Sequence, residues 1–238
     1  MTRQFFIGFD EALANSGWCV MELMTDTGEL VYVESGVFHP TIKWGWKSDC
    51  IIFLEHRYHI KTLLNRISAM GDILAIAMEG VAFSAPGQAA SRGGVFALYS
   101  TMSVFYGDLI TISPTSMKKF ISGFGFAEKE DIKRDVRSMH PEVPDELAFD
   151  IYDAVGLCEI GFLAYLITHG REEHVKSRIG PEKFLMLRNN NIVKKTRKVK
   201  PGAKKSGKKS KSKSSKPDKM KGICDRVDDL YIAKRSPE

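Results

Sequence analysis

Asp10, Glu79, Asp150 and Asp153 interrupt stretches that are otherwise apolar. Asp10 ends the run Phe5-Phe6-Ile7-Gly8-Phe9, and Glu79 follows Ile73-Leu74-Ala75-Ile76-Ala77-Met78. Asp150 and Asp153 fall inside the apolar stretch from Leu147 to Leu166. A carboxylate at the end of a buried strand, or on the covered side of a helix, is costly unless it is paired or binds a cation. Asp150 and Asp153 are three apart, so on a helix they face the same way. If the elements converge, these acids form an all-oxygen site of the kind Mg²⁺ or Mn²⁺ takes. Two such ions about 4 Å apart activate a water and stabilise the leaving oxygen of a phosphodiester. On residue type alone the bland alternative stays open: a strand-terminal Asp is often simply solvated, and an i,i+3 Asp pair is often a helix's wet face.

Particular elements must position these acids. Residues 3–10 read as a strand. Gly17 to Met24 and Leu30 to Phe38 read as two more, joined by a turn at Asp26-Thr27-Gly28, which makes an antiparallel meander. Ile52, Leu54, Tyr58, Leu63, Leu64 and Ile67 recur at helical spacing across 51–69. Asp72 to Glu79 is a fourth strand, apolar enough to be covered on both faces. Gln88 to Tyr106 reads as a helix, weakened early by Gly93-Gly94, and Leu109 to Ile112 as a fifth strand. Pro114 suits the first turn of a helix over 114–122, which Gly123-Phe124-Gly125 breaks. Ala127 to Met139 forms another helix, and a long last one spans about 145–167. The expected fold is α/β, a mixed five-stranded sheet covered by helices.

At 238 residues and 43% hydrophobic, the chain has material for one good core but hardly two full domains. No apolar run reaches the roughly 18 residues of a membrane span; Asp150, Asp153 and Glu159 interrupt the longest one. Met1-Thr2-Arg3-Gln4 leads into a strand-like run without a signal-peptide cleavage pattern, so a cytoplasmic protein with no membrane partner is expected. Cys19, Cys50, Cys158 and Cys224 lack paired CxxC spacing and read as reduced thiols, not a zinc site. Residues Lys194 to Lys221 hold 14 Lys and Arg and one acid, Asp218, hence +13 of a chain whose net charge is +6; the remainder is −7. That basic, Lys/Ser-rich stretch reads as disordered. The expected organisation is a folded domain over 1–190, a disordered linker over 191–222 and a short amphipathic helix over 223–235.

Four segments resemble the motifs of RuvC-type Holliday-junction resolvases. Ile7-Gly8-Phe9-Asp10 followed by Ser16-Gly17-Trp18-Cys19-Val20 is similar to the first. Ala77-Met78-Glu79-Gly80-Val81, with Ser91-Arg92-Gly93-Gly94 downstream, is similar to the second. Ser113-Pro114-Thr115-Ser116-Met117-Lys118-Lys119, then Gly123-Phe124-Gly125-Phe126-Ala127-Glu128-Lys129, matches the lysine-bearing segment. Asp150-Ile151-Tyr152-Asp153-Ala154-Val155-Gly156 resembles the closing motif. Order and spacing agree over residues 4–166. The resemblance implies an RNase H-like fold, a homodimer, and Mg²⁺-dependent nicking of paired strands at four-way DNA junctions, with Mn²⁺ able to substitute. It implies Asp10, Glu79, Asp150 and Asp153 as metal ligands, and Lys118 and Lys129 on the phosphate side, where a cation offsets developing charge. DNA contacts are expected from Phe83, Arg92, Lys118, Lys119, Lys129, Lys194, Lys195, Arg197 and Lys198.

Departures qualify that picture. Glu11-Ala12 stands where the family commonly has Pro-Gly, and Glu11 reads as a surface acid rather than an extra ligand. Phe83 lies near the position of an aromatic that unstacks junction bases in relatives, a role open to an apolar wedge, and reads equally well as an ordinary packing residue. The basic tail is longer than compact cellular enzymes need and fits a virus-encoded relative acting in a host cytoplasm. Its lysines would tether DNA without reading sequence, the rival reading being a solubility or localisation segment. Asp225, Asp228 and Asp229 form a second acid cluster that is a lesser candidate for the last ligands. His56 and His59, near Cys50, read as surface or interface residues, and Trp44 and Trp46 as packing residues. Two other classes compete: an actin-like nucleotide-binding phosphotransferase, which lacks here the Gly-Thr or Gly-Ser after the Asp, and a non-catalytic branched-DNA-binding protein, which would be expected to have lost one of the four acids.

Overall fold

Alternation along β1 (Arg3–Asp10) sends Phe5, Ile7 and Phe9 to one face of a sheet and Phe6, Gly8 and Asp10 to the other. The computed structural model describes residues 2–41, 49–80 and 89–189, and only the backbone of residues 49, 89–92 and 189. β2 (Ser16–Leu23) and β3 (Leu30–Phe38) complete an antiparallel meander with β1. β4 (Gly71–Glu79) and β5 (Asp108–Ile112) add to the other side in parallel. The order across the sheet is β3-β2-β1-β4-β5, so β1 and β4 are central neighbours. This is the mixed five-stranded α/β sheet that the sequence pattern predicts.

Each face of the sheet has its own apolar cluster. α1 (Asp49–Ser68) and α2 (Ala89–Ser103) cover Phe5, Ile7, Phe9, Ile76 and Met78 with Ile60, Leu64, Ile67, Val95 and Tyr99. The opposite face is covered by α5 (Phe149–Thr168), supported by α3 (Pro114–Ser122), α4 (Lys129–Met139) and α6 (Glu172–Asn189). By length and composition α5 is apolar enough to cross a membrane, whereas the run-length expectation excluded one. Its side chains are instead mostly buried against the sheet, which is why it is apolar all round.

Local chemistry fixes the helix ends near the site. Ser113 Oγ accepts from the Ser116 N–H at 3.2 Å, Pro114 occupies the first turn, and Gly123 closes α3 in the left-handed region at φ 86°. Asp131 takes the Glu128 N–H at 3.2 Å at the start of α4. α5 begins at Phe149 rather than near 145, and Tyr152 Oη binds the carbonyls of Pro144 and Asp145, each at 2.8 Å, fixing the preceding loop. α6 was not anticipated; it is two helical pieces that meet in a kink at Gly180, which has φ 77°. Cys19, Cys50 and Cys158 are free. Phe83, Trp44, Trp46, Lys194, Lys195, Arg197, Lys198, Asp225, Asp228 and Asp229, with the expected linker and terminal helix, lie outside the described residues.

Candidate active site

β1 and β4 run parallel with Phe9 opposite Met78, so Asp10 and Glu79 end side by side. Ala75 and Ala77 face α5, and alternation places Glu79 on that same face with Asp10. α5 approaches very closely because the strands offer no side chains beneath it. A Cβ on Gly8 would overlap the Ala154 carbonyl oxygen, and one on Gly17, the β2 residue opposite Asp10, would overlap that of Asp150. This approach brings one turn of α5 over the end of β1. Carboxylate oxygens of Asp10, Asp150 and Asp153 consequently lie within 4.8 Å of one another. The Glu79 carboxyl joins them through a side-chain hydrogen bond with Asp10.

Crowding of acids out of water has the expected electrostatic result. Burial, then repulsion from Glu79 and Asp153, raises the Asp10 carboxyl well above the usual carboxylate range. Burial and Glu79 push Asp153 up to about 6, against the pull of Lys129 and Lys118. Lys129 Nζ donates to Asp150 Oδ1 at 3.0 Å, and that bond raises the Lys129 ammonium further. Lys118 Nζ donates to the Ala127 carbonyl at 2.9 Å, which ties α3 to the loop ahead of Lys129. Lys119 is exposed on α3, and Arg92 belongs to α2. The four acids and two lysines read from the sequence are thus gathered at one end of the sheet. An all-carboxylate donor set at these separations fits a hard divalent cation.

Two expectations are corrected. Glu11 is not a surface acid: its Oε2 is buried without a hydrogen-bond partner, and its carboxylate faces the backbone N–H groups of Glu11 and Glu79. Burial raises it well above the usual range, with Glu79 and Asp10 adding to the shift. As the residue following a face-pointing Asp10, it had no periodic signal to place it. His56 is likewise not a surface residue. It is fully buried, with Nδ1 3.1 Å from Tyr99 Oη and Nε2 3.1 Å from the Leu13 carbonyl. Burial lowers its pKa and keeps the ring neutral, so Nε2–H donates to Leu13 and Nδ1 accepts from Tyr99. Ser16 Oγ donates to the Ala12 carbonyl at 2.8 Å, and together these contacts brace the loop that follows Asp10. His59 is only half-buried and stacks on Phe38.

Exposed aromatic side chains in the loop ahead of Lys129 were also missed. Phe124 and Phe126 flank Gly125 in the α3–α4 loop and are 48% and 89% exposed. The sequence showed them only as residues within the lysine-bearing segment, with no signal of their exposure.

No family model matches the chain. It is 28% identical over 147 residues to the crossover junction endodeoxyribonuclease RuvC of Paracoccus denitrificans, covering 58% of this chain and 79% of that one. Among solved structures, Thermus thermophilus RuvC superposes with a TM-score of 0.54 at 16% identity, covering 70% of this chain and 97% of that one. The same protein in complex with a Holliday junction substrate gives 0.54 at 14% identity, covering 71% and 97%. The fold is therefore the one seen in RuvC, and in sequence the chain is similar to a RuvC crossover junction endodeoxyribonuclease.

Proposed function

We propose that the chain is a metal-dependent endonuclease that resolves four-way DNA junctions, nicking paired strands as a homodimer. The observation that carries this reading is the convergence of Asp10, Asp150 and Asp153 oxygens within 4.8 Å, with Glu79 bonded to Asp10. Asp10, Glu79, Asp150 and Asp153 would hold Mg²⁺, or Mn²⁺ in its place. When bound, such ions acidify a water for attack on the phosphodiester and stabilise the departing oxygen. The chain's own part is positional. Asp10 and Glu79 are fixed by adjacent parallel strands, and Asp150 and Asp153 by the helix packed over Gly8 and Gly17. Buried carboxyls with raised affinity for protons are sites where a divalent cation replaces a proton and relieves the repulsion. Lys129 holds Asp150 in place, and its exposed side can meet a phosphate. The sequence relationship to a crossover junction endodeoxyribonuclease and the fold shared with RuvC support branched DNA as the substrate.

The test compares wild type with Glu79→Gln on labelled four-way junctions and linear duplexes, with Mg²⁺ and with EDTA. Paired nicks by wild type in Mg²⁺, on the junction only, are expected. Glu79→Gln should be slower by about 10²-fold or more, the several kcal/mol that metal charge stabilisation supplies. Equal cutting by both proteins, or equal cutting of junction and duplex, would contradict the reading.

A further inference from the structure

Phe126 projects into solvent three residues ahead of Lys129, the lysine that reaches the carboxylate cluster, and nothing in the four-acid chemistry requires it. It is 89% exposed and Phe124, two residues earlier, is 48% exposed. Their loop is rigidly held. Gly123 closes α3 with its N–H on the Lys119 carbonyl at 2.9 Å, Lys118 Nζ binds the Ala127 carbonyl at 2.9 Å, and Ala127 itself is buried. Gly125 lies against Thr115, where a Cβ would come 2.6 Å from its Cγ2. Three residues beyond Phe126, Lys129 reaches Asp150 of the acid cluster. A hydrophobic ring is therefore presented from a held loop, between two lysines of which one reaches the candidate active site.

We propose that the Gly123–Ala127 loop is a nucleobase-contacting element and that Phe126 stacks on, or wedges beside, a base next to the scissile phosphate. This rests on the resolvase reading and adds to it a residue that senses unstacked DNA. The flanking ammonium groups of Lys118 and Lys129 match a phosphate backbone and leave the ring for the base, the arrangement that single-stranded sites use. A junction centre is where bases lose stacking partners most cheaply, and an apolar side chain inserted there is compensated by the bent DNA it holds. A second copy of this chain is the poorer occupant. A protruding ring or two falls far short of the roughly 800 Å² per partner of a stable interface.

The full-length protein is tested in EDTA on a four-way junction carrying 2-aminopurine at the branch point, alongside Phe126→Ala and Phe126→Trp. Binding by wild type should raise the fluorescence as the reporter loses its stacked neighbour. Phe126→Ala should lose most of that rise and bind the junction about tenfold more weakly, the scale of one base–aromatic stack, whereas Phe126→Trp should retain both. Because the ring is exposed, the melting temperature of Phe126→Ala should match wild type, which separates contact from folding. The same rise and affinity in wild type and Phe126→Ala would overturn the proposal. So would conversion of a dimer to a monomer by Phe126→Ala in sedimentation, which would make the ring a subunit contact. Wild type binding the junction no better than linear duplex would instead overturn the resolvase reading, and this proposal with it.

Discussion

Lys129 illustrates how little one ion pair contributes to stability and how much it can matter to chemistry. Its Nζ is 3.0 Å from Asp150 Oδ1, but the two side chains are 54% and 23% exposed, so water screens the pair and its removal should change the melting temperature little. Its charge nevertheless faces Asp153 and holds that carboxyl down. Lys129→Met should therefore lower the cleavage rate by about 10²-fold, the scale of one preorganised donor. It should also move the acid limb of the pH–rate profile to higher pH, because Asp153, already near 6, loses a cation that favours its ionised form. A rate loss with an unmoved acid limb would show that Lys129 acts elsewhere. Asp10, Glu79, Asp150 and Asp153 were legible because each breaks an apolar run at a periodic position. Glu11 was not, since its burial depends on the loop that His56 and Ser16 brace from distant parts of the chain.

The seating of α5 on the sheet determines whether the site exists. Gly8→Ala would set a methyl against the Ala154 carbonyl and 2.9 Å from the Cys158 nitrogen, displacing α5 from β1. Overpacking of this kind costs about 1–3 kcal/mol, so a lower melting temperature together with loss of cleavage is expected; wild-type values for both would contradict the close approach. The far side of α5 carries a second prediction. His140 is buried with Glu142 and Glu159 each 3.3 Å away, and Arg178 is 3.6 Å from Glu159. Burial alone would lower the His140 pKa, but the two carboxylates outweigh it and the net shift is upward from 6.5. The stabilisation is thus fully present below 6.5 and lost as pH rises through the higher folded value. Melting temperature should fall over that window in wild type and fall less in His140→Gln; parallel curves would dismiss the coupling. Strands and most helices were readable from periodicity, whereas α6 is two helical pieces interrupted at the non-helical Gly180 and held by buried Val175, Phe184 and Leu187.

At the scale of the molecule, charge is divided between a body of −7 and the stretch Lys194 to Lys221 at +13. A net-acidic body must approach DNA against its own field, so the basic stretch should supply much of the sequence-independent affinity. Removal of residues 194–238 should weaken junction binding and flatten its dependence on salt, while cleavage at low salt persists in reduced amount. Unchanged affinity at low salt would rule out the tether. The measurement that bears most directly on the central claim is the rate of paired nicking of a four-way junction by wild type and by Asp10→Asn across a Mg²⁺ titration. Asp10 is hydrogen-bonded to Glu79 and has its carboxylate within 4.8 Å of those of Asp150 and Asp153. The account predicts Mg²⁺-dependent nicks from wild type and none from Asp10→Asn at any concentration; nicking by Asp10→Asn at the wild-type rate would contradict it.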